Sequence, residues 1–233
     1  MSNNIVTKTN RGIIILMTLL IIVICIFSIF TFKFNNGIRQ LHKTVVENNA
    51  EYVEKLQNIS AIVDYKSKRK FMVTKSRDFI LEKNSSLSVE DAYDIAELNF
   101  DICERYNQDP RLVLALQYQE SRYNSNAISS AGAKGICQIW PPTGRLLANG
   151  LGIEYSDDIL HDNRVNILMC VYYLDNLFAV YNDTKLVLAE YNGGPKNAYF
   201  IRIGSSSVSS ETRDYVKRVM KLYDDIKTMF MNT

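Results

Sequence analysis

The sequence predicts a mainly α protein made of an N-terminal transmembrane helix, a helical stalk and a helical C-terminal domain. Three observations carry this reading. Residues 13–32, IIILMTLLIIVICIFSIFTF, hold no charge, Gly or Pro. Neither Gly nor Pro interrupts the chain between Ile38 and Pro110. Beyond that point apolar residues recur at threes and fours between helix-capping residues, with no strand-like alternation.

The apolar run comes first. Its 20 residues, at about 1.5 Å each, make roughly 30 Å, the thickness of a bilayer's hydrocarbon core. A cleaved signal peptide would have a shorter apolar region and small residues at a cut site, whereas this run passes into FKFNNG. Residues 13–34 are therefore expected to be a retained single-pass anchor, preceded by a short cytoplasmic tail at 1–12. Charge alone does not orient it, because Lys8 and Arg11 precede the span while Lys33, Arg39 and Lys43 follow it. Orientation has to come from where the C-terminal domain works.

Residues 35–87 read as the stalk or linker. Ile38, Leu41, Val45, Tyr52, Leu56, Ile59 and Val63 recur mostly at threes and fours. The pattern suits either a coiled-coil stalk, with Asn48 weakening the seam, or a helix folded back on the C-terminal domain. Residues 33–84 carry 11 Lys+Arg against 6 Asp+Glu. The densest basic stretch, KSKRK from Lys66 to Lys70, could touch anionic lipid or wall polymer, or be a solvated helix face.

The break at NSSLS, Asn84 to Ser88, places the domain boundary, and residues 88–230 form the C-terminal domain. Ser88 followed by Asp91 is a helix start of the capping-box type. Asp109-Pro110 supplies an N-cap and a first-turn proline for the next helix. Ile167, Val171, Leu174, Phe178 and Tyr181 form one apolar stripe, and Val216, Val219, Tyr223, Ile226 and Phe230 another. EYNGG closes a further helix with glycines.

Several function classes are excluded. Residues 85–233 carry 14 Lys+Arg against 19 Asp+Glu, a poor balance for nucleic-acid binding. Histidine is limited to His42 and His161, and no C-x-x-C occurs, so neither a metal site nor a cofactor is expected. Cys25 lies in the apolar span. Among Cys103, Cys137 and Cys170 at most one bridge could form.

The chemistry begins at LALQYQESRYN, Leu114 to Asn124. Glu120 lies four residues beyond Leu116 and eight beyond Leu112, on the stripe the helix buries. A carboxyl there has its ionised form disfavoured, which raises its pKa above about 4.3. A rise to around 6, roughly 2 kcal/mol, leaves a usable protonated fraction near neutral pH. That is what a general acid needs. Taken alone, the segment better fits a helix-end glutamate turned to solvent or paired with Arg122.

The next segment adds a resemblance. ESRYNSNAISSAGAKGICQIWPPT, Glu120 to Thr143, resembles the lytic transglycosylases with the goose-type lysozyme-like (SLT) fold. In that family a catalytic glutamate followed by Ser ends a helix and precedes S-x-x-G-A-x-G-x-x-Q-x-x-P. Here those positions are Ser129, Gly132, Ala133, Gly135, Gln138 and Pro141. LAEYNGGP, Leu188 to Pro195, and ETRDYVKRV, Glu211 to Val219, match two further segments in the same order. The resemblance covers residues 92–226.

It implies a lysozyme-like (SLT) α-helical domain with a cleft for glycan strands of peptidoglycan, working outside the cytoplasm with the tail inside. Glu120 would be the sole catalytic acid/base. It would protonate the oxygen between N-acetylmuramic acid and N-acetylglucosamine. The 2-acetamido oxygen would then stabilise C1, a substrate-assisted departure from two-carboxylate hydrolysis. Glu120 would next take the C6 hydroxyl proton, and attack on C1 would leave a 1,6-anhydromuramic end.

By the same likeness Ser121 supports the site, and Gln138 hydrogen-bonds an acetamido or backbone amide. Tyr191 and Asn192 are the family's Tyr-Asn pair beside the glutamate, and Tyr215 holds Glu120. Gly132 and Gly135 are expected to let the loop backbone approach the sugar. Three positions depart from the pattern: Cys137 where Met is common, Trp140 where a smaller apolar residue is frequent, and Glu190 where Ala is frequent. Trp140 fits either sugar stacking or the core. Glu190, Asp157 or Asp158 would be the second carboxylate of a hydrolysing muramidase, the alternative reaction. A non-catalytic glycan-binding component of an envelope-spanning or phage assembly is the rival outside enzymology.

Overall fold

The structure is a computed structural model that describes residues 2–231, with side chains from residue 12 to residue 231. The tail expected over 1–12 therefore lies, apart from Gly12, outside the residues whose side chains are described. Seven α-helices are present among the described residues. They are α1 (Ser2–Lys83), α2 (Val89–Arg105), α3 (Pro110–Ser121), α4 (Pro141–Leu151), α5 (Asn163–Tyr181), α6 (Thr184–Arg202) and α7 (Ser210–Met231). A 3₁₀ turn, Asp157–His161, precedes α5. Extended pairing among these residues is limited to two isolated bridges around Lys134, with Ile128 and with Ile139.

The chain divides into two compact units, Met1–Tyr65 and Lys66–Thr233. In the first unit nearly all the described side chains of α1, from residue 12 on, are exposed, and its apolar residues from Ile13 to Phe34 lie open. Among the described residues α1 alone is long and apolar enough to cross a membrane.

The second unit takes in the end of α1, from Lys66 to Lys83. Val73, Phe79 and Ile80 are buried in its core. Arg69 pairs with Glu97 and with Asp101 on α2, so one member of the basic KSKRK run is tied to the domain. Asn84 follows α1, and its side-chain amide donates to the Arg122 carbonyl at 2.9 Å.

The helix ends are set by local chemistry. Ser88 accepts from the Asp91 amide at 2.9 Å and donates back to its carboxylate at 2.7 Å. Asp109 accepts from the Arg111 amide, with Pro110 in the first turn of α3. Asp162 and Asp183 cap α5 and α6 in the same way, and Ser209 caps α7 through the Thr212 amide. Gly194, at φ 73° and ψ 176°, breaks α6 where YNGG predicts an end, and Pro195 starts its second half.

The two apolar stripes face the core. Ile167, Val171 and Leu174 of α5 are buried, as are Val216, Val219, Ile226 and Phe230 of α7. Helix α3 lies in the middle, with Leu112 to Leu116 all buried, and it packs most extensively on α7. Two buried amides, Asn99 of α2 and Gln117 of α3, satisfy each other at 2.8 and 2.7 Å. Such reciprocal pairing removes most of the cost of burying them.

Candidate active site

Helix α3 delivers Glu120 to the floor of a cleft of about 580 Å³. The helix stops directly after it. Arg122 adopts a left-handed conformation at φ 54°, with its amide bonded to the Tyr118 carbonyl, and Tyr123 follows at φ 64°. Tyr123 is buried and its hydroxyl donates to the Leu114 carbonyl at 3.0 Å, which anchors this unusual turn.

The Glu120 carboxyl neither pairs with Arg122 nor turns fully to solvent. The Tyr215 hydroxyl donates to its Oε1 at 2.5 Å. Burial pushes Glu120 up to about 7; the bond from Tyr215 pulls the other way, and Glu211 adds a smaller push up. Tyr215 is itself buried, which drives its phenol well above the ordinary range and keeps its proton in place.

Loop 124–140 forms one wall. Gln138 sits at φ 50° and lines the cleft, its amide donating to the carbonyls of Ala127 (3.1 Å) and Gly135 (2.9 Å). Its N–H groups therefore shape the loop. Ser121 is absent from the cleft lining. Its hydroxyl donates to the Ile136 carbonyl at 2.7 Å and accepts from the Asn124 amide, tying the end of α3 to the loop. Trp140 is 53% exposed beside the cleft at the start of α4, outside the core.

Gly135 departs from the expected role. A Cβ there would lie 2.0 Å from the Leu160 carbonyl and 2.4 Å from the Asn166 amide nitrogen. Protein packing, not approach to a sugar, demands that glycine. Asn166 was not legible as important. Buried on α5, it accepts from the Cys137 amide at 2.8 Å and donates to the carbonyls of Lys134 and Leu160. Gly132, at φ 82° with open space around it, is free of such contacts.

Helices α5 and α6 form the other wall, with Tyr173, Glu190, Tyr191 and Asn192 on it. The Tyr191 hydroxyl donates to the Cys137 carbonyl at 2.8 Å, joining the two walls, and its ring lies against Tyr173. Asn192 faces the same space. Gly193 lets α6 meet α7, since a Cβ would stand 2.2 Å from the Thr212 Oγ1. Cys103, Cys137 and Cys170 are buried free thiols.

Glu120, Gln138, Tyr191, Asn192 and, through its bond to Glu120, Tyr215 are thus brought together. Of the other carboxylates weighed, Glu190 lines the cleft, whereas Asp157 lies away from it and pairs with Lys134 at 3.6 Å. Asp158 is exposed in the same 3₁₀ turn and is not part of the lining. Glu211, on the first turn of α7, also lines the cleft and was not foreseen. Its position opening the ETRDYV segment was the available signal.

Comparison with known proteins gives this geometry a context. Residues 97–202 match the family described as Transglycosylase SLT domain. The chain is 30% identical over 129 residues to a transglycosylase of Enterobacteria phage PRD1, covering 55% of this chain and 42% of that protein. It is 30% identical over 147 residues to a putative soluble lytic murein transglycosylase of Haemophilus influenzae, covering 62% and 23%. The chain therefore spans less than half the length of these relatives.

Among solved structures, an inactive mutant of lytic transglycosylase Slt from Pseudomonas aeruginosa aligns with TM-score 0.52 at 23% identity, over 57% of this chain and 24% of that one. The 70-kDa soluble lytic transglycosylase of Escherichia coli aligns at 0.51 and 24%, over 69% and 30%. A complex of the 70-kDa soluble lytic transglycosylase with bulgecin A aligns at 0.53 and 23%, over 70% and 30%. At these identities the structures establish the fold. Residues 97–202 thus resemble the transglycosylase SLT domain family, and the domain that carries them has an SLT-like helical fold.

Proposed function

We propose that this chain is a peptidoglycan lytic transglycosylase held in a membrane by residues 13–34, with residues 35–65 as spacer and the domain, from Lys66 on, outside the cytoplasm. The observation that carries the catalytic reading is Glu120, a carboxyl on a cleft floor with its pKa near 7 and its orientation fixed by Tyr215. A carboxyl near 7 can donate a proton and then accept one at physiological pH.

In the proposed reaction, protonated Glu120 gives its proton to the glycosidic oxygen as the C1–O4 bond breaks. The 2-acetamido oxygen of the muramic residue stabilises C1, and the ionised glutamate then takes the C6 hydroxyl proton. Attack of O6 on C1 closes the 1,6-anhydro ring. Gln138, whose N–H groups are held by the loop, offers its side-chain carbonyl to the sugar's acetamido N–H. Asn192 offers its amide to the same group, and Trp140 offers an exposed ring face. Tyr215 and Tyr191 orient the site, and Ser121 acts by bracing the loop. The relatives named as transglycosylases support this reading.

Glu190 favours one second reading, hydrolysis with activation of water, because it stands in the same cleft. Mass spectrometry of digested cell walls separates the two. Muropeptides ending in 1,6-anhydromuramic acid are expected, about 18 Da lighter than hydrolysed ones because no water is added. Mainly reducing ends would establish hydrolysis. Glu120→Gln should abolish release of either. For topology, an export-dependent reporter fused after Thr233 should be active, and one fused at residue 10 silent.

A further inference from the structure

Glu190 stands on the cleft wall together with Tyr173 and Tyr191. Its Oε2 accepts a short hydrogen bond from the Tyr181 hydroxyl, and Tyr181 in turn carries the Arg202 guanidinium over its ring at 5.5 Å. Helices α5 and α6 thus cooperate to hold one carboxylate oxygen. Among the described residues the other, Oε1, has no hydrogen-bond partner, and Glu190 forms no salt bridge. No Lys, Arg or His is among the described residues lining the cleft.

A carboxylate fixed at one oxygen by a neutral phenol, and lacking a cation, retains most of its capacity to accept a charged donor. Peptidoglycan offers such a donor as a primary ammonium. It is carried by the diamino acid of an uncrosslinked stem peptide or by an N-deacetylated glucosamine. The alternative donors, sugar hydroxyls and amides, are neutral and gain less from a carboxylate.

We infer that Glu190, braced by Tyr181, is a specificity-determining residue that selects glycan strands bearing a primary ammonium group in the cleft. The inference rests on the proposed action on peptidoglycan, and the test separates the two. Full-length protein carrying Glu120→Gln, in detergent micelles, is bound to four insoluble probes. These are sacculi with free or acetylated stem amines, and peptide-free strands either partly N-deacetylated or fully N-acetylated.

Free amines should strengthen binding about tenfold, the scale of one charge-assisted hydrogen bond. Adding Glu190→Gln should cut that preference to about twofold or less, and Tyr181→Phe should leave it intermediate. Preference on sacculi alone assigns the stem amine, and preference on deacetylated strands assigns the sugar amine. Equal binding to free and acetylated forms, or a preference that survives Glu190→Gln, overturns the proposal. Absence of cleavage by the unsubstituted protein, with this preference intact, would instead overturn the proposed reaction.

Discussion

The Tyr215 hydroxyl donates a 2.5 Å hydrogen bond to Oε1 of Glu120, joining the end of α3 to α7 across 95 positions of sequence. A donor to a carboxylate favours its ionised form, so this bond pulls the Glu120 pKa down while burial pushes it up. Tyr215→Phe removes the downward pull and leaves Glu120 above about 7. A general acid acts in its protonated form, so the alkaline limb of the pH–rate profile should move to higher pH. Loss of orientation should also lower the rate at neutral pH, on the order of tenfold. Wall-clearing rates between pH 5 and 9 check both effects. An unmoved alkaline limb would detach Tyr215 from the titration of Glu120.

The same carboxyl makes stability depend on pH. Its folded pKa, about 7, exceeds the ordinary 4.5, so the folded chain binds this proton more tightly. The contribution is therefore full below pH 4.5 and is lost as pH rises through about 7. At about 1.4 kcal/mol per pH unit, the loss is at most roughly 3 kcal/mol. Glu120→Gln cannot ionise. It should match the unsubstituted protein near pH 4.5, exceed it at pH 8 and lack lytic activity by several orders of magnitude. Denaturant midpoints at the two pH values test the sign, and an equal gap at both would refute it.

What the sequence revealed was mostly local. Ser88, Asp109 and the Gly194 break could be read because caps and glycine ends act within a few residues. The three resembling segments gave the companions of Glu120, although Ser121 turned out to face the loop backbone. Asn166 and the Asn99–Gln117 pair were hidden because each acts on groups far away in sequence. The Tyr181–Glu190 bond was equally hidden, since it crosses from one helix to the next. The basic residues around Arg69 disguised a segment whose apolar members, Val73, Phe79 and Ile80, belong to the core.

The two loop glycines should respond very differently to alanine. At Gly135 the new methyl would meet a backbone carbonyl at 2.0 Å, which cannot swing away, and φ is +79°. Gly135→Ala should cost more than roughly 3 kcal/mol, among the largest single-residue effects. At Gly132 there is open space, so only its positive φ of +82° opposes the change. Gly132→Ala should cost about 1 kcal/mol. Thermal unfolding of the pair is the measurement. Equal shifts would remove the packing role assigned to Gly135.

The end of α1, from Lys66 to Lys83, should be indispensable to the domain. Removing residues up to 84 deletes Val73, Phe79 and Ile80 from the core. Burying each such side chain contributes roughly 1.5–3 kcal/mol. Their sum is on the scale of an ordinary domain's whole stability, about 5–15 kcal/mol. Truncation would also remove the Arg69 pairs with Glu97 and Asp101 and the Asn84 bond to the Arg122 carbonyl, two residues past Glu120. A chain of residues 66–233 should unfold cooperatively with a midpoint near that of the longer protein. One of residues 85–233 should be strongly destabilised or insoluble, and its lytic activity should fall with its folded fraction. Equal midpoints for the two truncations, by circular dichroism in urea, would show that the α1 segment is a passive neighbour.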